Sequence, residues 1–285
     1  MTSLSDLKFG DFTVLCKYTA LPFCKAFEIQ QNCSMYPATG NTGIKDLGEI
    51  IASFIAFLGT LIIAYRTHTK YAAVGRTEMN LMNLFYGLLL MTGIIIQVLS
   101  SPVYVIQAAS VYGGLVVGFF WILFLNGFVG YQVIEDGSHL SIWGILLSTT
   151  LFSFLGGYFT YGIAVGGTAL FGSAKTESQS LFGILLVWPL ISIILYSLLM
   201  TFLVIKQLSQ RKPIIYLFVS VILVTLSFVF TISLHDSICV STPKLSGSGG
   251  TTGYVTGAPF GVFIGFLGYC ALYKFWFAIT EGTFN

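Results

Sequence analysis

The chain has 285 residues, of which 55% are hydrophobic and only 8% are charged, whereas soluble proteins average about 25% charged residues. This composition excludes an ordinary soluble protein and predicts an integral membrane protein surrounded by the lipid bilayer. The formal net charge of +2, with no long basic run, excludes a nucleic-acid-binding protein.

The first 46 residues are mixed in charge and predict a lumenal N-terminal segment, 1–46. They contain three of the five cysteines, Cys16, Cys24 and Cys33. Asn32 begins an Asn-Cys-Ser sequon, which is used only where a segment enters a lumen. Asn32 is therefore a candidate glycosylation site.

Seven apolar stretches follow, each close to or above the roughly 20 residues that cross a hydrocarbon core. They predict an all-α integral membrane protein, a seven-transmembrane-helix bundle over 47–280, with a short cytosolic tail at 281–285. A run of 56 residues from Met79 to Ile134 contains no Asp, Glu, Lys or Arg and must hold two spans. The predicted spans are 47–65, 80–100, 103–133, 141–165, 180–205, 213–235 and 254–276.

The basic residues predict the orientation, because loops rich in Lys and Arg stay in the cytosol. With the N-terminus in the lumen, seven basic residues face the cytosol and two, Lys175 and Lys244, face the lumen. The lysines of the N-terminal segment are accompanied by acidic residues and oppose translocation weakly. We expect a lumenal N-terminus and a cytosolic C-terminus. The seven cytosolic residues are Arg66, Lys70, Arg76, Lys206, Arg211, Lys212 and Lys274.

The same orientation places four cysteines on the oxidising side, and four cysteines allow two disulfides in three connectivities. These candidate disulfide residues are Cys16, Cys24, Cys33 and Cys239, while Cys270 falls inside the last span. We expect at least one bridge that ties the N-terminal segment down. Free, buried thiols are the alternative, because cysteine also packs as a small apolar group.

Small-residue stripes predict the packing faces of two spans. Gly257, Gly261 and Gly265 recur every four residues in the last span, and Gly114 and Gly118 do so in the third. Such spacing lets two helices approach closely in lipid. Contacts within the bundle are the main expectation, and a groove for a partner is the alternative. Pro189 should kink the fifth span or open a backbone carbonyl.

The third span ends in a polar, glycine-containing stretch that we take as the candidate partner-binding surface. An amide side chain in the hydrocarbon needs an internal partner. Packing within the bundle is one reading, and a surface for another membrane protein is the sharper one. For the acidic pair, a solvated loop is the simpler reading. The candidate partner-binding residues are Asn126, Gly127, Gly130, Gln132, Glu135 and Asp136.

No pattern predicts a catalytic, cofactor-binding or metal site. His68, His139 and His235 lie far apart, and neither a phosphate-binding loop nor a nucleophile elbow occurs. The cytosolic loops are too short to fold a nucleotide-sugar domain. A seven-helix receptor or small-molecule transporter is the alternative function. It would need a cavity lined by convergent polar groups, whereas a filled bundle centre would favour a chaperone.

Several motifs along the chain resemble the fungal chitin synthase export chaperone family. The strongest lies around Asn126, and the others precede or follow it in the family's order. The matching stretches are Phe9-Gly10-Asp11-Phe12, Leu15-Cys16, Leu21-Pro22-Phe23-Cys24, Ala73-Val74-Gly75-Arg76-Thr77-Glu78, Asn126-Gly127-Phe128-Val129-Gly130-Tyr131-Gln132, Glu135-Asp136-Gly137, Leu140-Ser141, Tyr273-Lys274-Phe275-Trp276 and Ile279-Thr280.

The resemblance implies a multi-pass protein of the endoplasmic reticulum membrane that assists folding and export of a chitin synthase catalytic subunit. That role serves cell-wall chitin synthesis and is not itself enzymatic. The implied partners are this catalytic subunit, the bilayer and, as an open alternative, a second copy of the chain. Travel with the client to the plasma membrane is a further expectation. Phe277 stands after Trp276, where members of the family commonly have an acidic residue. The tail is also shorter than the polar cytosolic tail usual in the family.

Overall fold

The computed structural model describes residues 8–29, 31, 33–35, 46–69, 75–131, 138–166, 177–208, 212–235, 237–238, 251–253 and 256–281. Within these ranges, seven helices are long and apolar enough to cross a membrane. The prediction of a seven-helix bundle is confirmed.

The helices begin where the sequence supplies caps or prolines. The Asp46 carboxylate accepts the Glu49 amide at 2.9 Å, and the Ser138 hydroxyl accepts the Ser141 amide at 3.2 Å. The helices are α1 Phe12–Tyr18, α2 Leu47–His68, α3 Arg76–Val98, α4 Pro102–Val129, α5 His139–Ala164, α6 Gln179–Lys206, α7 Pro213–Ser233 and α8 Ala258–Glu281. A 3₁₀ helix covers Pro22–Phe27, and β1 Cys33–Met35 pairs in parallel with β2 Thr251–Gly253.

Six of the long helices form a ring in the order α2, α3, α4, α6, α7, α8, which closes where α8 packs on α2. Helix α5 stands outside this six-helix ring and packs mainly against α4. Of the neighbours in the ring, α6 and α7 touch least, although they are consecutive in the chain. The ring is therefore tightly joined everywhere except between α6 and α7.

Glycines set the two closest helix pairs, as the small-residue stripes predict. A Cβ atom at Gly114 in α4 would lie 2.3 Å from the Ser153 carbonyl oxygen of α5. A Cβ atom at Gly257, just before α8, would lie 2.4 Å from the Phe230 carbonyl oxygen of α7. Real side chains cannot approach a backbone so closely, so only glycine allows these contacts. The expectation that both stripes serve packing within the bundle is confirmed.

Helix α6 changes from α-helical to π-helical winding just before the proline in its interior. Pro189 has no N–H to give to the Leu185 carbonyl. The turn just before it, Gly183–Val187, is wound as a π-helix, and the Trp188 amide bonds the Gly183 carbonyl. Where a π-helix occurs, it is mostly a single turn of this kind inside an α-helix. The disruption expected at Pro189 thus takes the form of a π-helical turn.

The N-terminal segment forms a cap on one end of the bundle. The side chains of Phe12, Cys16 and Phe23 are almost fully buried in a core shared with the adjacent ends of α3, α4, α5 and α6. The Phe12 ring lies 5.7 Å from that of Phe182 in α6. A disulfide joins Cys16 to Cys24 and so links α1 to the 3₁₀ helix. We call α1 and the 3₁₀ helix the N-terminal cap.

The remaining cysteines have different placements. Cys33 begins β1, but its side chain is not described, and Cys239 lies outside the described residues. Cys270 is a free thiol in α8. Asn32 also lies outside the described residues. The pairing of Cys33 and Cys239 and the glycosylation of Asn32 stay predictions.

Candidate functional site

Two of the candidate partner-binding residues contact other helices of this chain. The Asn126 amide nitrogen approaches the Met82 sulfur of α3 at 3.6 Å, which is a weak interaction. Gly127 is buried, and a Cβ atom there would lie 3.1 Å from a methyl carbon of Leu199 in α6. These positions serve contacts within the bundle in the isolated chain.

Gly130 packs in the same way against α6. A Cβ atom at Gly130 would lie 3.0 Å from a Leu203 methyl carbon and 3.1 Å from the terminal methyl of Met200. The three remaining candidates, Gln132, Glu135 and Asp136, lie outside the described residues. The structure therefore brings Asn126, Gly127 and Gly130 together where α4 meets α3 and α6.

These glycines lie at one end of the bundle, which also gathers parts of four separate chain segments. A Cβ atom at Gly75, before α3, would lie 3.6 Å from Val129 of α4 and 3.8 Å from the Trp276 indole nitrogen of α8. The fully buried Glu78 carboxylate accepts a 2.8 Å hydrogen bond from the Ser141 hydroxyl of α5. We call the region defined by Gly75, Glu78, Val129, Ser141 and Trp276 the Glu78 end.

The opposite end of the bundle holds a buried polar relay that the sequence analysis did not identify. The Lys25 ammonium of the N-terminal cap donates to the Gln97 carboxamide oxygen of α3, and the Gln97 amide donates to the Glu49 carboxylate of α2. Gln97 and Glu49 are 1% and 4% exposed. The positive charge of Lys25 is thus connected to the buried carboxylate through a neutral amide.

A signal for this relay existed in the sequence. Glu49 and Gln97 are polar residues at the ends of otherwise apolar spans, where an unsatisfied polar group is costly. Because α2 and α3 run in opposite directions, the first turn of one lies beside the last turn of the other. The pair could have been proposed on that ground, but Lys25 could not, since nothing local predicts how the N-terminal cap folds.

The centre of the six-helix ring is not filled. It contains a cavity of about 220 Å³ whose walls come from all six helices of the ring and from the N-terminal cap. Most of the lining is apolar, and Glu49 is the acidic residue among the lining residues. The filled centre that would favour a chaperone is therefore absent. The lining is nevertheless mainly apolar, whereas the alternative function requires convergent polar groups.

Several phenol groups are among the polar groups that line this cavity, together with serines, Thr231 and Glu49. Tyr86, Tyr112 and Tyr196 line it, and Tyr86 and Tyr196 are 8% and 7% exposed. Within the described residues these three hydroxyls form no hydrogen bonds to protein groups. Tyr269 also lines the cavity, but its hydroxyl donates to the Asn83 carboxamide oxygen at 2.6 Å. The cavity thus presents polar groups that have hydrogen bonds still to make.

A family model described as chitin synthase export chaperone matches residues 8–285 of the chain. The chain belongs to the chitin synthase export chaperone family. The resemblance seen in the sequence motifs is confirmed. No solved structure gives a significant match.

Curated relatives from several fungi have the same name, and their matches cover nearly the whole chain. A relative from Aspergillus clavatus is 28% identical over 293 residues, 96% of this chain and 83% of that protein. One from Cryptococcus neoformans is 28% identical over 303 residues, 99% of this chain and 77% of that protein. One from Aspergillus fumigatus is 29% identical over 297 residues, 96% of this chain and 83% of that protein.

The motifs that carry the resemblance to chitin synthase export chaperones gather at the two ends of the bundle. The motifs around Gly75, Asn126, Ser141 and Trp276 contribute to the Glu78 end or its surroundings. Those around Phe12 and Phe23 form the N-terminal cap at the other end. The motifs are thus concentrated where the loops and the cap meet the helices, and the middle of the bundle contributes the cavity.

Proposed function

We propose that this protein is a membrane chaperone that assists the folding and export of a chitin synthase catalytic subunit. The family model that matches residues 8–285 carries this proposal. A match from the N-terminal cap to the end of the chain covers every helix, so the whole fold is what the family shares. The helices give the protein direct access to the membrane-spanning part of a client.

The proposed site of action is the endoplasmic reticulum membrane, with the N-terminus in the lumen and the C-terminus in the cytosol. Two observations support this orientation. The bridge between Cys16 and Cys24 suits an oxidising compartment, and the basic residues favour the opposite side as cytosolic. In this orientation the Glu78 end faces the cytosol. Release of the client at the plasma membrane, after joint transport, is part of the proposal.

The surface that we propose for the client is the outer side of α4 near the Glu78 end. Phe128, two residues after Asn126, is 43% exposed there, and the only described hydrogen bond of the Asn126 side chain is the weak one to Met82. A client helix with an unsatisfied polar group is costly in lipid. The Asn126 amide can leave the sulfur for a better partner at little cost and stabilise the client until the client assembles.

Capture of the client from mild detergent tests this surface. We expect Asn126→Leu and Phe128→Ala each to reduce co-purification of the synthase catalytic subunit and its export. Phe218→Ala is the matched control, because Phe218 is also exposed, at 66%, but lies on α7. Gly130→Leu is a poor probe, since the new side chain would collide with Leu203 and Met200.

One result of this comparison would contradict the proposed client surface. Equal client recovery from Asn126→Leu, Phe128→Ala and Phe218→Ala would exclude the outer side of α4 as the client surface. A synthase that reaches the cell surface normally in cells without this protein would overturn the chaperone function itself. Thermal unfolding of each purified variant separates lost binding from lost folding.

We propose that the protein has no reaction of its own. The family name describes export of a synthase and not synthesis. Incubation of the purified protein with UDP-N-acetylglucosamine tests this proposal, and formation of polymer would contradict it. The central cavity is the one observation that favours the alternative, a receptor or transporter, because such proteins bind small molecules between their helices.

A further inference from the structure

The central cavity is covered toward one aqueous face and thinly walled toward the lipid. Pro22 and Phe23 of the N-terminal cap, with the preceding Leu21, line it at the end where the polar relay lies, and all three residues are buried. Some of its lining residues on α6 and α7, such as Ile193 and Val221, are by contrast only half-buried. These half-buried residues lie on either side of the joint between α6 and α7, which is the weakest joint of the ring.

The chemistry of the walls sets two requirements for an occupant. Tyr86, Tyr112 and Tyr196 offer hydroxyls that need a hydrogen-bonding partner in this buried place. The walls contributed by α6 and α7 are chiefly aliphatic, with Leu186 and Val224 as examples. An occupant must therefore combine a hydrocarbon portion with a small polar group.

The charge of the lining and the volume of the cavity further restrict the class of molecule that could bind. The Lys25–Gln97–Glu49 relay already balances the acidic residue of the lining, so a charged headgroup would be left without a counter-ion in a poorly solvated site. A hydroxyl is neutral and both donates and accepts. The volume of about 220 Å³ is below the ~300–1,000 Å³ typical of drug-sized ligands, which suits one hydrocarbon chain and not two.

We propose that the cavity binds a neutral, single-chain membrane amphiphile with a hydroxyl headgroup. The molecule enters from the bilayer between α6 and α7 and places its hydroxyl among the three free phenols. Its chain lies along the aliphatic walls of α6 and α7. This binding does not depend on the chaperone function, since it needs no client.

Photolabelling of the full-length protein in detergent tests the proposal. The probe is a long-chain alcohol that carries a diazirine in its chain and an alkyne for detection. We expect it to label peptides of α6 and α7 and to be displaced by excess unlabelled alcohol. A fatty acid and a phosphatidylcholine with the same tags test the neutral headgroup and the single chain, and we expect both to compete poorly.

Variants locate the label. Ile193→Trp fills the cavity and should abolish the displaceable labelling, whereas Leu198→Trp, on the exposed side of the same helix, should preserve it. Tyr196→Phe keeps the shape of the wall but removes one hydroxyl. We expect this variant to bind about fivefold more weakly, as the loss of one ordinary hydrogen bond implies.

Several outcomes would overturn the proposal. Labelling that survives Ile193→Trp, or that falls equally in Leu198→Trp, would place the alcohol on the outer surface. Equal displacement by phosphatidylcholine would show general lipid contact. An unlabelled cavity in a protein that still captures its client would refute ligand binding and leave the chaperone function intact. Thermal unfolding of the Tyr196→Phe protein guards against a loss caused by misfolding.

Discussion

At the scale of single residues, glycines determine which helices can approach each other closely, because they have no side chain. Gly114 and Gly157 allow the backbones of α4 and α5 to meet, because a Cβ atom at Gly114 would lie 2.9 Å from the Gly157 amide nitrogen. Backbone atoms cannot rotate away as a flexible side chain can. The tolerance of a glycine to substitution therefore depends on what faces it and not on its position in a helix.

A substitution at Gly114 should separate two helices. We expect Gly114→Ala to destabilise the protein by about 1–3 kcal/mol or more, as overpacking does. Gly144→Ala, on α5 with no atom near its Cβ position, should be neutral or stabilising by up to ~1 kcal/mol through helix propensity. Thermal unfolding in detergent measures both. Similar melting temperatures for the two variants would contradict the close contact of α4 with α5.

The Lys25 side chain stabilises a residue that is distant in the sequence, the buried Glu49, through Gln97. Lys25→Met removes the positive charge that the relay connects to the buried Glu49 carboxylate. We expect a loss of stability below the ~3–5 kcal/mol of a fully buried pair, because Lys25 is partly exposed. The double variant Lys25→Met/Glu49→Gln should recover part of the loss in thermal unfolding. Failure of this rescue would show that Lys25 acts independently of Glu49.

At the scale of elements, α7 and α8 show how close approach and hydrogen bonding reinforce each other. The Ser227 hydroxyl of α7 donates to the Gly261 carbonyl of α8 at 2.7 Å, and the Ser220 hydroxyl donates to the Gly268 carbonyl at 2.8 Å. A hydroxyl reaches the backbone of a neighbouring helix only where that backbone carries no bulky side chain. The glycine stripe of α8 therefore also supplies acceptors.

Close packing should contribute more than hydrogen bonding to the stability of the α7–α8 pair. Ser227→Ala removes one interhelical hydrogen bond, for which about 0.6 kcal/mol is a typical value in membranes. Gly261→Leu should cost much more, because its Cβ atom would lie 2.1 Å from the Thr231 hydroxyl and 3.3 Å from the Ser227 carbonyl oxygen. Melting temperatures of the two variants test this order. A larger loss in Ser227→Ala would show that hydrogen bonding dominates the pair.

The same elements mark how far the sequence could predict the structure. Seven spans follow from apolar length, and the glycine stripes follow from spacing. The contacts of Asn126 do not, because α4 is apolar on all sides and periodicity gives no face for each residue. The N-terminal cap and the cavity also lack a local signal. The cap depends on Phe12 and Phe23 meeting four helix ends, and the cavity on the shapes of six helices together.

At the scale of the whole molecule, the two ends of the bundle differ in character. One end is covered by the N-terminal cap and held by the Cys16–Cys24 bridge. The other, the Glu78 end, joins α3, α4, α5 and α8 through polar and aromatic contacts. The proposed orientation assigns the covered end to the lumen and leaves the Glu78 end to cytosolic partners.

Glycosylation tests this orientation. If the N-terminal segment is lumenal, Asn32 should carry a glycan that an endoglycosidase removes, with a mobility shift on a gel. Asn32→Gln should abolish the shift, and a sequon placed after Glu281 should stay unmodified. Modification of the tail sequon together with an unmodified Asn32 would reverse the orientation. The control is a tail sequon in a protein of known cytosolic C-terminus.

The parallel pairing of Cys33–Met35 with Thr251–Gly253 constrains how the protein is made. The strand near the N-terminus emerges first from the ribosome, yet its partner strand appears only shortly before the last helix. The phenylalanines of the cap likewise wait for α6. Early-synthesised parts must therefore stay unsatisfied through most of translation, so a stalled or prematurely terminated chain would expose the kind of surface that quality-control proteases recognise.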